Sequence, residues 1–323
     1  MQSHAHDSLF RSQFGQTAEA AAELRLLLSA RAAAQLDLAA LVRVDTAWVD
    51  RELRGSAADL LFRAPLRAGG DAFLLFLMEH QSTPDPRLPL RLLRYATQIW
   101  ERHAAETPPS TPLPPVIPVL IHQGPRPWPW PPRFRTHLAG GADLHEALAP
   151  NLIEFDYLID DLGTQSDAQI FGRAMSAIGR LTLIALRNGR AIPRLAEHLA
   201  GFLRELHHDL RGPAVVPALS RLVSYVLAVG DGTPREVRAT LAAALPTEHR
   251  SEVMTTAEML RAEGKAEGLV EGWRMSVTGL LEARFRALSP AARERIAAAD
   301  LAMLQSWQRR VLSARDEAEL FGE

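Results

Sequence analysis

Two hydrophobic rhythms divide the chain, and the change from one to the other falls near residue 166. Before that point the apolar runs are short. "ADLLFRAPL" at 58–66 and "DAFLLFLMEHQ" at 71–81 flank Gly69-Gly70, and "VIPVLIHQG" follows at 116–124 and "NLIEFDYLIDD" at 151–161. Runs of this length bounded by glycine and proline read as strands, and the first two around a Gly-Gly pair read as a hairpin. Between the second and third runs, "LRLLRYATQIWERHAAE" at 90–106 has the three-to-four spacing of an amphipathic helix. Upstream, "AEAAAELRLLLSARAAAQL" at 18–36 predicts a helix with Asp7 and Ser8 as N-cap residues before it. "GPRPWPWPPRF" at 124–134 must be irregular, since proline serves neither a helix interior nor a central ladder.

After residue 166 the helical period takes over, in "AQIFGRAMSAIGRLTLIALRN", "IPRLAEHLAGFLRELHHDL", "AVVPALSRLVSYVLAVG" and "MTTAEMLRAEGKAEGLVEGWRM". The expected fold class is therefore α/β: a mixed sheet flanked by helices over 1–165, a helical region over 166–250, and a small helical tail over 251–323.

Composition narrows the chemistry. The 323 residues can hold a substantial core. The formal net charge of −2 gives no overall attraction to nucleic acid, so any such contact must come from local arginines. With no cysteine, disulfides and thiolate metal sites are excluded. Lys265 is the only lysine, so no lysine is available as a catalytic group in the first 264 residues. No run is long enough to span a bilayer and the N-terminus lacks a signal-type apolar core, so a cytoplasmic protein is expected, with no membrane contact.

The candidate chemistry lies on the hairpin. A three-residue turn at 68–70 would set Asp59 directly opposite Glu79, with Gln81 on the same face and His80 on the other. A two-residue turn at Gly69-Gly70 would instead set His80 opposite Asp59. In the first arrangement two carboxylates and an amide converge at the end of an apolar strand, and a divalent cation would relieve the repulsion between the acids. Oxygen donors suit Mg²⁺ or Mn²⁺, with the His80 backbone carbonyl as a third ligand.

An acid about twenty residues before E-x-Q on a hairpin resembles the PD-(D/E)xK nuclease core, with glutamine where lysine is usual. A wider set of segments, "HDSLF" at 6–10, "ADLLFRA" at 58–64, "LMEHQSTPD" at 77–85, "RLLRYATQIWERH" at 91–103, "VIPVLIHQG" at 116–124 and "RAEGKAEGLVEG" at 261–272, is similar to the Rpn-type recombination-promoting nucleases, also labelled transposases. The resemblance implies Asp59 and Glu79 as metal ligands and Gln81 as the third core residue, with Mg²⁺-dependent DNA cleavage linked to recombination. Its rival is a weakly active or inactive nucleic-acid-binding or regulatory protein that keeps the fold, because Gln81 can be neither a cation nor a proton carrier. An RNase-H-like strand-transfer core is disfavoured, because its carboxylates sit on separate elements. His122-Gln123-Gly124 stands where members carry Tyr-His-Gly, so the resemblance gives His122 no role. Asp160 and Asp161 read as a turn or helix cap.

Arg87, Arg91 and Arg94 are the candidate DNA-backbone contacts, beside the hairpin. His207-His208-Asp209 diverge around a helix and do not form an ion site, and the tryptophans of "WPWPP" are expected to pack over a core. Gly264, Gly268 and Gly272 fall on one face of a helix, which suggests close approach by another helix and a homo-oligomer through the tail.

Overall fold

Six consecutive apolar residues, Phe73–Met78, need burial on both faces, and a central strand supplies it. In the computed structural model, which describes residues 2–45, 58–79, 84–124, 126–188, 195–205, 214–229, 233–285, 288–311 and 313–321, they lie in the middle of a five-stranded sheet of order β1-β2-β3-β4-β5. The strands are β1 (Val42–Val44), β2 (Ala58–Pro65), β3 (Asp71–Glu79), β4 (Val116–His122) and β5 (Leu158–Asp161). The first three form an antiparallel meander, and β4 and β5 continue parallel to β3. This is a PD-(D/E)xK-like mixed sheet flanked by helices.

Three helices precede the sheet strands β2–β5: α1 (Gln2–Phe14), α2 (Thr17–Leu27) and the single turn α3 (Ala30–Ala33). Asp7 and Ser8 sit inside α1 rather than capping a later helix. The chain turns between α1 and α2 at Gly15, whose N–H still bonds to the Arg11 carbonyl at 2.9 Å. A parallel neighbour requires a long crossover, and α4 (Leu88–Glu106) provides it between β3 and β4. Leu88, Leu92, Tyr95 and Ile99 form its buried stripe, and each such side chain contributes about 1.5–3 kcal/mol by leaving water. Pro89 lies in the first turn, where its missing N–H costs nothing.

The two sheet faces carry different cores. Leu61, Phe73, Val116, Leu120 and Ile159 face α4, Trp128 and Tyr157. Leu60, Phe62, Leu74, Val119 and Ile121 face α1, α2 and the later helices. The short helices α5 (Ala142–Leu148) and α6 (Asp167–Phe171) flank β5 in sequence. Then α7 (Ala177–Asn188), α8 (Leu195–Glu205), α9 (Val215–Val229) and α10 (Pro234–Ala244) stack in the same core as α1. His6 is buried in α1, and its Nδ1 meets the Tyr225 hydroxyl of α9 at 2.9 Å. That hydroxyl also donates to the Ala185 carbonyl of α7 at 3.3 Å.

Residues 2–257 form one compact unit and residues 258–323 a second. The 36-residue α11 (Arg250–Phe285) begins in the first. The second has its own core from Val277, Leu281, Ile296, Leu304 and Trp307, built by α11 with α12 (Pro290–Ala298), α13 (Leu301–Arg310) and α14 (Glu317–Phe321). Gly264, Gly268 and Gly272 lie within α11, and a Cβ at any of them would meet nothing within 4 Å.

One buried ionic group joins the first helices to the sheet. Arg173 donates from Nη1 to Glu23 Oε2 at 3.0 Å and to Asp160 Oδ2 at 2.8 Å, and from Nη2 to Asp160 Oδ1 at 2.8 Å and Gln165 Oε1 at 2.7 Å. Two carboxylates share one guanidinium, and Glu23 Oε1 has no partner. Burial first, then the charge of Asp160, holds the Glu23 carboxyl well above the usual carboxylate range, against the opposing pull of Arg173. The stability Glu23 supplies is therefore complete below about pH 4.5 and is lost as pH rises through its raised folded value.

Glu23→Gln keeps the acceptor for Arg173 and removes the charge. Urea unfolding across pH 4.5–8 will show a shallower fall in stability than wild type, with Tm near neutrality higher by roughly 2–4 °C per kcal/mol recovered; an unchanged slope would place the ionisation elsewhere. Arg173→Met leaves two acids facing each other without a counter-ion and will cost about 3–5 kcal/mol. Alanine at 264, 268 and 272 fits without contact, and each will slow amide exchange along this stretch of α11 about fivefold, equivalent to ~1 kcal/mol, read by exchange mass spectrometry.

Candidate functional site

The hairpin turn decides which residues share a rung. Leu66 N–H donates to the Gly70 carbonyl at 2.8 Å, and Gly69 N–H donates to the Leu66 carbonyl at 2.9 Å. The turn is therefore three residues long but occupies 67–69, one position earlier than the 68–70 expected. Gly69 (φ 97°) and Gly70 (φ 79°) both take the left-handed region, which glycine enters without a Cβ penalty. The two-residue alternative is excluded with it.

The shift corrects the expected pairing. Asp59 lies across from Leu77, not Glu79. The parity survives, so Asp59 and Glu79 occupy same-face positions on adjacent strands, one rung apart on the diagonal. Diagonal neighbours are typically about 7–8 Å apart. The side chains of Asp59 and Glu79 lie outside the described residues, as do His80 and Gln81 entirely.

The rung continues through the parallel strands: Glu79 pairs with His122, and His122 with Asp161. His122 is completely buried. Its Nε2 lies 3.1 Å from the Arg126 carbonyl, and its ring meets Trp128 edge-on at 5.2 Å between centroids. Its Nδ1 is buried without a hydrogen-bond partner. Gly124 lets the ring sit there, since a Cβ at 124 would fall 2.7 Å from Nε2.

Adjacent acids on β5 face opposite ways. Asp161 caps the 3-10 turn Leu162–Thr164 through Gly163 N–H at 3.2 Å and accepts the Trp128 backbone N–H at 2.7 Å. The cap expected there is present at Asp161. Asp160 has a different fate, since it is buried on the other face against Arg173. Gln123, on the Asp160 side, donates to the Leu186 carbonyl of α7.

The proline-tryptophan segment packs, as its sequence suggests. Trp128 is buried and donates from Nε1 to the Tyr157 hydroxyl at 3.0 Å, Trp130 stands edge-on to it, and His137 tilts against Trp130. Burial holds His137 below the usual histidine range, partly offset by its bond to the Pro86 carbonyl. Pro86 immediately precedes α4 and the arginine stripe. Arg87 is the exposed N-cap position of α4, Arg91 is half-buried and Arg94 is exposed. They follow helical spacing along one face. Arg102, further along, pairs with Glu106 at 2.9 Å. His207, His208 and Asp209 lie outside the described residues.

Among the described residues no group of three His, Asp or Glu side chains is placed to hold a metal ion. Asp59 and Glu79 occupy same-face positions on adjacent strands at the end of the central strand, and His122 belongs to the same rung as Glu79. Sequence reasoning gave no signal for this pairing of His122 with Glu79, because parallel pairing across a crossover is not written in local spacing.

Over residues 4–211 the chain matches the family described as "Putative transposase, YhgA-like". It is 28% identical over 259 residues to recombination-promoting nuclease RpnD of Escherichia coli O157:H7, covering 79% of this chain and 93% of that one. It is 27% identical to RpnA of Escherichia coli strain K12, covering 80% and 84%. The same identity, 27%, holds for the inactive recombination-promoting nuclease-like protein RpnE of that strain, covering 84% and 86%. No solved structure matches the chain. With the family match running over more than half its length, the chain belongs to the YhgA-like transposase family, alongside relatives named as recombination-promoting nucleases.

Proposed function

We propose that this protein is a metal-dependent DNA endonuclease that hydrolyses phosphodiester bonds in the service of recombination. The observation that carries the reading is the shared face of Asp59 and Glu79 at the polar end of an otherwise apolar central strand. Two acids so placed are destabilising unless a cation joins them, and the names of the relatives supply the reaction class.

Asp59, Glu79 and the His80 backbone carbonyl would hold Mg²⁺ or Mn²⁺ as oxygen ligands. The bound ion would supply polarisation of the phosphodiester and a more acidic water. Gln81 would orient that water through its amide, without carrying the proton. Arg87 and Arg94 project from the exposed side of α4 and would hold DNA-backbone phosphates, setting position without reading bases. A chromosomal substrate would place the protein in the cytoplasm; among the described residues no helix is long and apolar enough to cross a membrane.

A second reading keeps the fold and the DNA contact but not the cleavage. Gln81 in the third core position favours it, as does the relative named inactive. Supercoiled plasmid separates the two. Wild type is expected to nick it with Mg²⁺ or Mn²⁺ and not with EDTA, and Glu79→Ala to lose at least a hundredfold in rate. DNA binding without cleavage in both proteins would favour the regulatory reading, and equal cleavage in both would remove the site.

A further inference from the structure

We infer that Arg126 holds a backbone phosphate of DNA at the carboxyl end of β4, as an anchor carried by the sheet in addition to the arginines of α4. The inference rests on the reading, common to both forms given above, that this protein binds DNA. It starts from a separate observation, the way the loop after β4 is built.

In open α/β sheets, ligands bind outside the carboxyl ends of parallel strands. β3, β4 and β5 run parallel, and the loop after β4 leaves the sheet at that end, from His122. The loop is clamped from several sides. The Arg126 carbonyl can only accept, so the wholly buried His122 donates to it from Nε2 at 3.1 Å. Trp128 N–H donates to Asp161 Oδ2 at 2.7 Å, and its indole N–H to the Tyr157 hydroxyl at 3.0 Å. Gly163 approaches so closely that a Cβ there would fall 2.8 Å from the Gly124 carbonyl oxygen. Pro127 further restricts the backbone of the residue before it, which is Arg126. The root of Arg126 is thus fixed while its side chain is exposed. A cation on a fixed root has less ordering to lose on binding.

The charge is also uncommitted. Among the described residues no ion pair engages Arg126, and from His122 to Ala142 the sequence contains no acid. The acids of β5 and of the segment before it have other partners. Asp160 faces Arg173, Asp161 accepts two backbone N–H groups, and Glu154 and Asp156 pair with Arg135 and Arg133. A guanidinium presents a rigid fork of donors that matches the oxygens of a phosphate.

Salt dependence tests the contact. The full chain is titrated into a fluorescein-labelled DNA duplex in EDTA, and again in CaCl₂, so that binding is read without cleavage. For Arg126→Gln the slope of log affinity against log salt is expected to be shallower by about 0.9, the signature of one lost phosphate contact. The wild-type advantage in affinity then shrinks about threefold between roughly 50 and 200 mM KCl. Arg126→Lys keeps the charge and is expected to keep the wild-type slope. Arg309→Gln removes an exposed arginine from the second unit and is expected to change neither slope nor affinity. DNA binding with the same slope in wild type and Arg126→Gln overturns the inference and leaves the DNA reading standing. An equal change in Arg309→Gln overturns it as well, since net charge alone then accounts for the effect. No DNA binding by wild type in either medium removes the DNA reading, and Arg126 with it.

Discussion

The hydrogen-bond register between three neighbouring strands is the constraint on which the rest depends. A strand has a side-chain period of two, so a slip of one residue would move every acid on it to the opposite face. The three-residue turn at 67–69 fixes β2 against β3, and α4 fixes β4 beside β3 by closing the crossover. The three-residue loop preserves parity even though it starts one position earlier than expected. That is why Asp59 and Glu79 remain on one face while losing direct opposition.

The same period separates two kinds of polar chemistry at one end of the sheet. Asp160 and Asp161 are adjacent, yet one joins a buried ion group with Glu23 and Arg173 and the other pins a turn and the tryptophan segment. The ion group lies among α2, β5 and the start of the helical region, residues distant in sequence. Burying one cation between two acids leaves net negative charge in a low-dielectric setting, and the raised proton affinity of Glu23 is the response. On the opposite face, His122 Nδ1 is buried without a hydrogen-bond partner.

Much of this was legible along the chain. The apolar run of β3, the helix after it, β4 and the change to helices near residue 166 all follow from hydrophobic period, and the family follows from ordered short motifs. The edge strand Val42–Val44 was not legible, since three residues carry no periodic signal. Nor was the brevity of β5: "NLIEFDYLIDD" reads as one strand, but only Leu158–Asp161 pairs in the sheet, because Phe155–Tyr157 bond to the proline segment instead. Asp7 and Ser8 read as caps because polar residues precede an alanine-rich run, but burial of Leu9, Phe10 and Phe14 draws them into α1. The pairing of Glu79 with His122 crosses a helix and a linker, so no local pattern encodes it.

The proline-rich segment beside β5 has a further consequence, for how the sheet ends. Tyr157 N–H donates to the Pro132 carbonyl at 3.0 Å, and Phe134 N–H donates to the Phe155 carbonyl at 2.9 Å. Pro132 accepts from the sheet side, and neither Pro131 nor Pro132 has an N–H to hand on, so regular pairing is interrupted there. At the far edge, β1 has three residues among those described. An apolar central strand like β3 would nucleate edge-to-edge aggregation if a long bare strand stood at either margin. Among the described residues one margin is short and the other is covered by a proline-rich segment with few N–H groups to offer, an arrangement that disfavours pairing of the sheet with its own copies.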